Sequence, residues 1–102
     1  MQSLWRKKLP KYYLEKVAGY YLYYTKHCII ECMHAHASDR SLTESGSAKF
    51  FVKSDGSTVL QHRGNLTDRE IIKIQKFIKL HFMEMYDMWV KDSDRGFYGE
   101  NK

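Results

Sequence analysis

An uninterrupted amphipathic pattern in the C-terminal third limits the folds that this chain can adopt. From Asp68 to about Lys91 the sequence contains no Gly or Pro. Apolar residues recur there at steps of three and four, which places them on one side of an α-helix. These residues are Ile71, Ile74, Ile78, Phe82, Met85 and Trp89. A long helix with one apolar side must bury it, so the rest of the chain has to supply a surface.

A capping box marks the beginning of this helix. In Thr67-Asp68-Arg69-Glu70, the Thr67 hydroxyl and the Glu70 carboxylate are spaced to accept hydrogen bonds from amides of the first turn. The sequence therefore predicts a helix over 68–91.

The middle of the chain predicts a small antiparallel sheet. Aromatic and β-branched residues favour strands at 20–25, 48–53 and 58–62, and the two histidines are expected on a further strand at 33–38. An Asp-Gly turn at 54–57 is typical of a hairpin. We expect an α+β fold, with three to four strands packed on one long C-terminal helix. A single domain over 17–91 follows an arm over 1–16 and precedes a flexible tail over 92–102.

The N-terminal arm carries most of the net positive charge. Pro10 and Gly19 predict a short helix over 11–17 within or beside this arm. Residues 1–16 have a net charge of +4, out of +5 for the whole chain. Aromatic rings stand among its cations, a composition suited to a polyanion, although a solvated basic terminus would have the same composition. The residues are Trp5, Arg6, Lys7, Lys8, Lys11, Tyr12, Tyr13 and Lys16.

A second candidate binding surface lies on the helix, away from its main apolar side. Ile72, Leu80 and Met83 fall there. Cations stand between them, namely Arg69, Lys73, Lys76 and Lys79. An apolar patch fringed by cations suits contact with a protein or a nucleoprotein, or self-association, whereas scattered surface apolar residues also occur without any partner.

His34 and His36 are the main candidates for chemistry. In an extended chain, side chains two residues apart emerge on the same face, so both imidazoles and Cys32 would point one way. Three interpretations stay open. The pair can be packed strand residues, part of a metal site, or a general acid and base.

The metal interpretation uses two thiols and two imidazoles. Cys28, Cys32, His34 and His36 offer the ligand types that zinc prefers, in a spacing that matches no widespread zinc motif. Two cysteines are too few for a disulfide scaffold, so reduced thiols are expected.

The catalytic interpretation is a ribonuclease that needs no metal or other cofactor. His34 and His36 would serve as the general base that activates a 2′-hydroxyl of the RNA and as the general acid. A neighbouring cation would bind the phosphate. Further candidates across the sheet are Lys49, His62, Arg63, Tyr23 and Tyr24.

The order of these segments resembles a small bacterial family labelled domain of unknown function forty-one sixty. The resemblance covers about 17–91 and rests on the strand with His34-Ala35-His36, the segment Ala48-Lys49-Phe50, a short hairpin and one long helix that closes near Trp89. Met33 stands where this family often has Pro. Members are often found on mobile elements or beside candidate antitoxins, so the resemblance implies a role in toxin–antitoxin or phage-conflict biology.

The leading prediction is a small non-enzymatic interaction protein that binds nucleic acid, RNA above all, or an RNA-containing nucleoprotein. It would act through the arm and the cationic helix face, with no cofactor. The alternative is a toxin-like, metal-independent endoribonuclease that uses His34 and His36. The sequence has no apolar run of about eighteen residues and no secretory signal, so we expect a cytoplasmic protein and no membrane partner.

Overall fold

A four-stranded antiparallel sheet and one long α-helix are the main elements in the part of the chain that the structure describes. The computed structural model describes residues 11–25, 28–40 and 46–99. In chain order, the elements are β1 (Tyr21–Tyr23), a 3-10 turn (Cys28–Ile30), β2 (His34–Ser38), β3 (Ala48–Val52), β4 (Thr58–His62) and α1 (Asp68–Trp89). The predicted α+β fold is confirmed.

The sheet follows the order of the sequence, β1-β2-β3-β4, with antiparallel neighbours. The predicted turn joins β3 to β4. Asp55 Oδ1 accepts hydrogen bonds from the Ser57 amide at 2.9 Å and from its hydroxyl at 2.6 Å. Gly56 has a φ of 87°, and a Cβ there would lie 2.6 Å from the Phe82 ring. Both the backbone conformation and the approach of the helix therefore favour glycine at this position.

The two faces of β2 carry different side chains because strand residues alternate. Ala35 and Ala37 belong to the apolar core, together with Phe50 and with the buried side of the helix. His34 and His36 emerge on the other face, and their partners on β3 are Phe51 and Lys49. The predicted same-face placement of the two histidines is therefore observed.

The helix begins at its capping box. Glu70 Oε1 accepts from the Thr67 amide at 2.9 Å, and the Thr67 hydroxyl accepts from the Glu70 amide at 3.2 Å. The helix ends at Trp89, two residues before the predicted end. Its buried residues are Ile71, Ile74, Ile78, Met85 and Trp89. Burial of each such side chain contributes about 1.5–3 kcal/mol, so this face fixes the helix on the sheet.

Residues 11–17 form no helix, so that prediction is wrong. The Tyr12 amide donates to the Leu22 carbonyl at 2.8 Å, and Lys11 pairs with Tyr23. Val17 and Tyr20 exchange hydrogen bonds across a tight turn in which both central residues, Ala18 and Gly19, have positive φ. This turn matches the type that joins twisted strands. The buried Tyr12 ring gains more from packing beside β1 than a short isolated helix would supply.

The segment after the helix packs on the body of the protein. The Trp89 Nε1 donates to the Arg95 carbonyl at 2.8 Å, and the Tyr98 amide donates to the Val52 carbonyl at 2.8 Å. Phe97 is buried and stacks on Tyr86. A flexible tail was predicted over 92–102, and its described part, 92–99, is held by these contacts.

Within the described residues, no helix combines the length and the apolar character needed to cross a bilayer.

Candidate functional site

The two histidines of β2 lie side by side in the interior. Their rings are perpendicular, with centroids 5.1 Å apart. The exposed fraction is 0% for His34 and 5% for His36. Aromatic side chains surround them, with ring centroids of Phe51 and Trp89 at 5.5 and 5.6 Å from His34, and Tyr23 at 5.3 Å from His36. Such burial gives no support to a catalytic role, because RNA would have to reach the imidazoles.

Hydrogen bonding sets the tautomer of His34. Its Nδ1 lies 2.8 Å from the Cys32 carbonyl oxygen. A carbonyl oxygen only accepts, so Nδ1 carries the proton and Nε2 holds a lone pair. This Nε2 is buried and has no hydrogen-bond partner in the part of the chain that the structure describes. Burial is the main cause that lowers the pKa of His34 to about 4, and the bond to the backbone partly opposes it, so the ring is neutral at physiological pH.

Cys28 completes a cluster of possible metal ligands. Its sulfur and one ring nitrogen from each of His34 and His36 lie within 4.8 Å of one another. We call these three residues the ligand cluster. Cys28 begins the 3-10 turn and is buried, and its Sγ lies 3.2 Å from the Thr25 hydroxyl. Cys32 is not in this group, because it lies in the bend before β2, where strand alternation does not apply.

The other candidates for catalysis are held by contacts of their own. Lys49 lies opposite His36 in β2 and opposite His62 in β4, but its Nζ pairs with Glu31 at 2.7 Å. His62 Nδ1 lies 2.9 Å from the Ser47 carbonyl oxygen, and Arg63 pairs with Asp68 at 2.7 Å.

The two tyrosines offered for catalysis are buried. The Tyr23 hydroxyl bonds to the Ser47 hydroxyl at 2.8 Å, and the Tyr24 hydroxyl donates to Asp92. The Asp92 contact helps to raise the pKa of Tyr24, after burial as the main cause. Neither phenol is placed to receive a proton from a substrate.

The arm residues predicted to bind a partner divide into two groups. Trp5, Arg6, Lys7 and Lys8 lie outside the described residues. Lys11 and Lys16 both place their Nζ over the ring of Tyr21, at 4.1 and 5.3 Å from its centroid. Tyr21 thus gathers two positive charges beside β1.

The cations of the helix are exposed. Lys79 is engaged, since its Nζ donates to the Asp55 carbonyl at 2.8 Å and ties the helix to the hairpin turn. Arg69, Lys73 and Lys76 take part in none of the ion pairs found among the described residues. Ile72, Leu80 and Met83 are exposed beside them, as predicted, and Leu80 is 78% exposed. We call Arg69, Ile72, Lys73, Lys76, Leu80 and Met83 the outer helix face.

Two residues lie near the ligand cluster although the sequence did not predict either of them there. The Tyr12 hydroxyl donates to the His34 carbonyl at 2.8 Å, across 22 residues of chain. Glu31 pairs with Lys49 and lies 3.7 Å from His34 Nδ1. Lys49 is the main cause that lowers the pKa of Glu31. Glu31 stands three residues before His34, which is a local signal, whereas no sequence spacing indicates Tyr12.

Comparisons with protein-family models, with curated proteins and with solved structures found no match. The resemblance to the family labelled domain of unknown function forty-one sixty therefore stays a prediction.

Proposed function

We propose that this protein binds RNA through its outer helix face and acts as a non-enzymatic interaction protein. The observation that carries this proposal is the exposure of three cations, Arg69, Lys73 and Lys76, with no ion pair to them in the described residues. Lys73 interacts electrostatically with Glu70 without forming an ion pair. Exposed cations that form no ion pair remain able to displace counterions from a phosphate backbone.

The arrangement of the face supports a nucleic-acid ligand. Residues at steps of four and three from Arg69 to Met83 follow one line along the helix, about 21 Å long at 1.5 Å per residue. The cations occupy the half nearer the helix N-terminus. Leu80 and Met83 occupy the other half and offer apolar contact for bases.

The burial of the histidines favours binding over cleavage. A ribonuclease needs its acid and base within hydrogen-bond reach of the substrate, and the imidazoles of His34 and His36 lie beneath aromatic rings. We therefore propose no cleavage reaction. A role on a mobile element, in toxin–antitoxin or phage-conflict biology, belongs to this proposal through the family resemblance alone.

Salt dependence tests the proposal. Fluorescence anisotropy measures the affinity for a labelled single-stranded RNA over a series of salt concentrations. Each phosphate contact on a single strand contributes about 0.7 to the slope of log affinity against log salt. The double variant Lys73→Gln/Lys76→Gln should bind more weakly and reduce that slope by about 1.4.

Matched variants separate a defined surface from general charge. Lys53→Gln/Lys91→Gln removes two exposed lysines outside the outer helix face and makes the same change in net charge. It should leave most of the slope intact. An equal loss in both double variants, or a slope that neither changes, contradicts the proposal. If the protein instead captures a protein partner, and this capture is lost in Leu80→Ala but does not depend on salt, the ligand of the outer helix face is a protein and not RNA.

The arm needs its own test because Tyr12 is part of the fold. Deletion of 1–16 would remove a buried ring and its hydrogen bond to His34. Arg6→Gln/Lys7→Gln/Lys8→Gln is the cleaner change. If the arm contacts the same RNA, this variant should reduce the slope further when combined with Lys73→Gln/Lys76→Gln.

A further inference from the structure

We propose that Cys28, His34 and His36 bind Zn²⁺. The proposal is independent of RNA binding, because the ligand cluster is buried and the outer helix face is exposed. It rests on three donor atoms of the preferred types, brought together from a turn and a strand.

The spacing of the donor atoms is near what zinc requires. Bond lengths of about 2.0–2.3 Å at tetrahedral angles separate the ligand atoms by about 3.4–3.6 Å. The three donors here lie within 4.8 Å of one another. Small side-chain rotations that move each donor atom by about 1 Å or less would bring these separations to the values that zinc requires. Side chains commonly make adjustments of this kind on binding.

His34 has the hydrogen bonding of a zinc ligand. Metal-binding imidazoles use one nitrogen for the metal and donate the other N–H, often to a backbone carbonyl. His34 Nδ1 already donates to the Cys32 carbonyl, and Nε2 presents its lone pair inside the protein with no hydrogen-bond partner among the described residues. A buried acceptor without a partner destabilises the fold, and a metal ion at this position would satisfy it.

The surroundings suit a thiolate ligand. On binding, Cys28 loses its proton to solvent and its sulfur takes the metal. The Thr25 hydroxyl, 3.2 Å from Cys28 Sγ, can donate a hydrogen bond to that thiolate. The rings of Phe51 and Trp89 lie against the imidazole of His34, and the ring of Tyr23 lies against that of His36.

Metal binding would fix one part of the chain to another. The ion would join the 3-10 turn Cys28–Ile30 to β2, which the Tyr12 hydroxyl also contacts through the His34 carbonyl. Three protein ligands leave one tetrahedral position for water or an added ligand.

Cobalt provides a direct readout of the ligands. Reduced protein without an affinity tag is freed of metal by chelation and is titrated with Co²⁺ and then with Zn²⁺. One equivalent of Co²⁺ should produce the visible bands of a tetrahedral ion and a thiolate-to-metal charge-transfer band. Zn²⁺ should displace it and remove both signals.

Two control variants identify the ligands even if a ligand variant fails to fold. Cys32→Ser leaves Cys28 as the only thiol in the chain, and the charge-transfer band should persist. His27→Gln/His62→Gln/His81→Gln leaves His34 and His36 as the only imidazoles, and one equivalent should still bind. Cys28→Ser should abolish the charge-transfer band, and His34→Gln should weaken Zn²⁺ affinity by at least 10-fold.

The outcomes decide the proposal. Loss of the band in Cys32→Ser, or loss of binding in the triple histidine variant, would place the metal elsewhere. Failure of the wild-type protein to bind one equivalent of either ion would show that the ligand cluster is ordinary packing.

Discussion

The ligand cluster and the outer helix face place polar groups in opposite environments. Cys28, His34 and His36 are buried, and His34 lies between aromatic rings, where water cannot take the place of a protein partner. The cations of the outer helix face remain in water and keep their charge available. Interior polar atoms therefore depend on a few defined contacts, whereas exposed ones contribute little to stability and remain accessible to a ligand.

The largest expected effect contrasts two residues on the same helix. Ile78 is fully buried and Leu80 is 78% exposed. Ile78→Ala should lower the free energy of unfolding by about 2–5 kcal/mol, through lost burial and a cavity. Leu80→Ala should change it by less than about 0.5 kcal/mol. Urea denaturation of both variants measures the difference, and a larger loss from Leu80→Ala than from Ile78→Ala would mean that the helix is packed the other way round.

A smaller effect should follow removal of one hydroxyl beside the ligand cluster. Tyr12→Phe takes the donor away from the His34 carbonyl in the interior, which should cost about 1–3 kcal/mol. Tyr20→Phe removes a hydroxyl that donates to Glu70 near the surface, and should cost about 0.5 kcal/mol or less. Denaturant midpoints compare the pair. A larger loss from Tyr20→Phe would reverse the contrast between interior and surface.

The outer helix face should tolerate charge removal without loss of stability. In the absence of RNA, Lys73→Gln/Lys76→Gln should change the free energy of unfolding by no more than about 0.5 kcal/mol, because both side chains are exposed. Thermal melting in buffer checks this. A marked fall in melting temperature would mean that these lysines serve the fold, and that weaker RNA binding by the variant cannot be assigned to the surface.

The smallest effect concerns a carboxylate at the helix N-terminus and depends on pH. Hydrogen bonds from the Thr67 amide and then from the Tyr20 hydroxyl hold the pKa of Glu70 below its usual value. A lowered pKa in the folded state means that this contribution is present above the unfolded pKa and is lost as pH falls through the folded one. The melting temperature of the wild-type protein should therefore be higher than that of Glu70→Gln at neutral pH. Acidification should reduce this difference in melting temperature. A gap that widens on acidification would contradict the assignment.

The helix and the β3–β4 hairpin could be predicted because their signals are local. The capping box at Thr67 and the Gly at position 56 define their own neighbourhoods, and the three-and-four spacing selects one helix face whatever it packs against. The helix predicted over 11–17 was wrong for the opposite reason. Its conformation is decided by Tyr12, which packs in the core and bonds to a strand 22 residues away.

The ligand cluster was predictable only in part. Strand alternation is enough to place His34 and His36 on one face, and the structure agrees. The same alternation also selected Cys32, which the structure leaves out of the cluster. The chain bends before β2, so a rule for extended residues does not hold at Cys32, and the turn at Cys28–Ile30 supplies the thiol instead.

The sequence by itself determined the α+β class, the helix with its buried and exposed sides, and the common face of the two histidines. These features depend on periodicity and on contacts within a few residues. Only the tertiary structure decided which cysteine meets the imidazoles, which lysines remain exposed, and how the segments at 11–25 and 92–99 pack. Those outcomes depend on contacts between residues far apart in the chain, where burial of an aromatic ring outweighs local conformational preference.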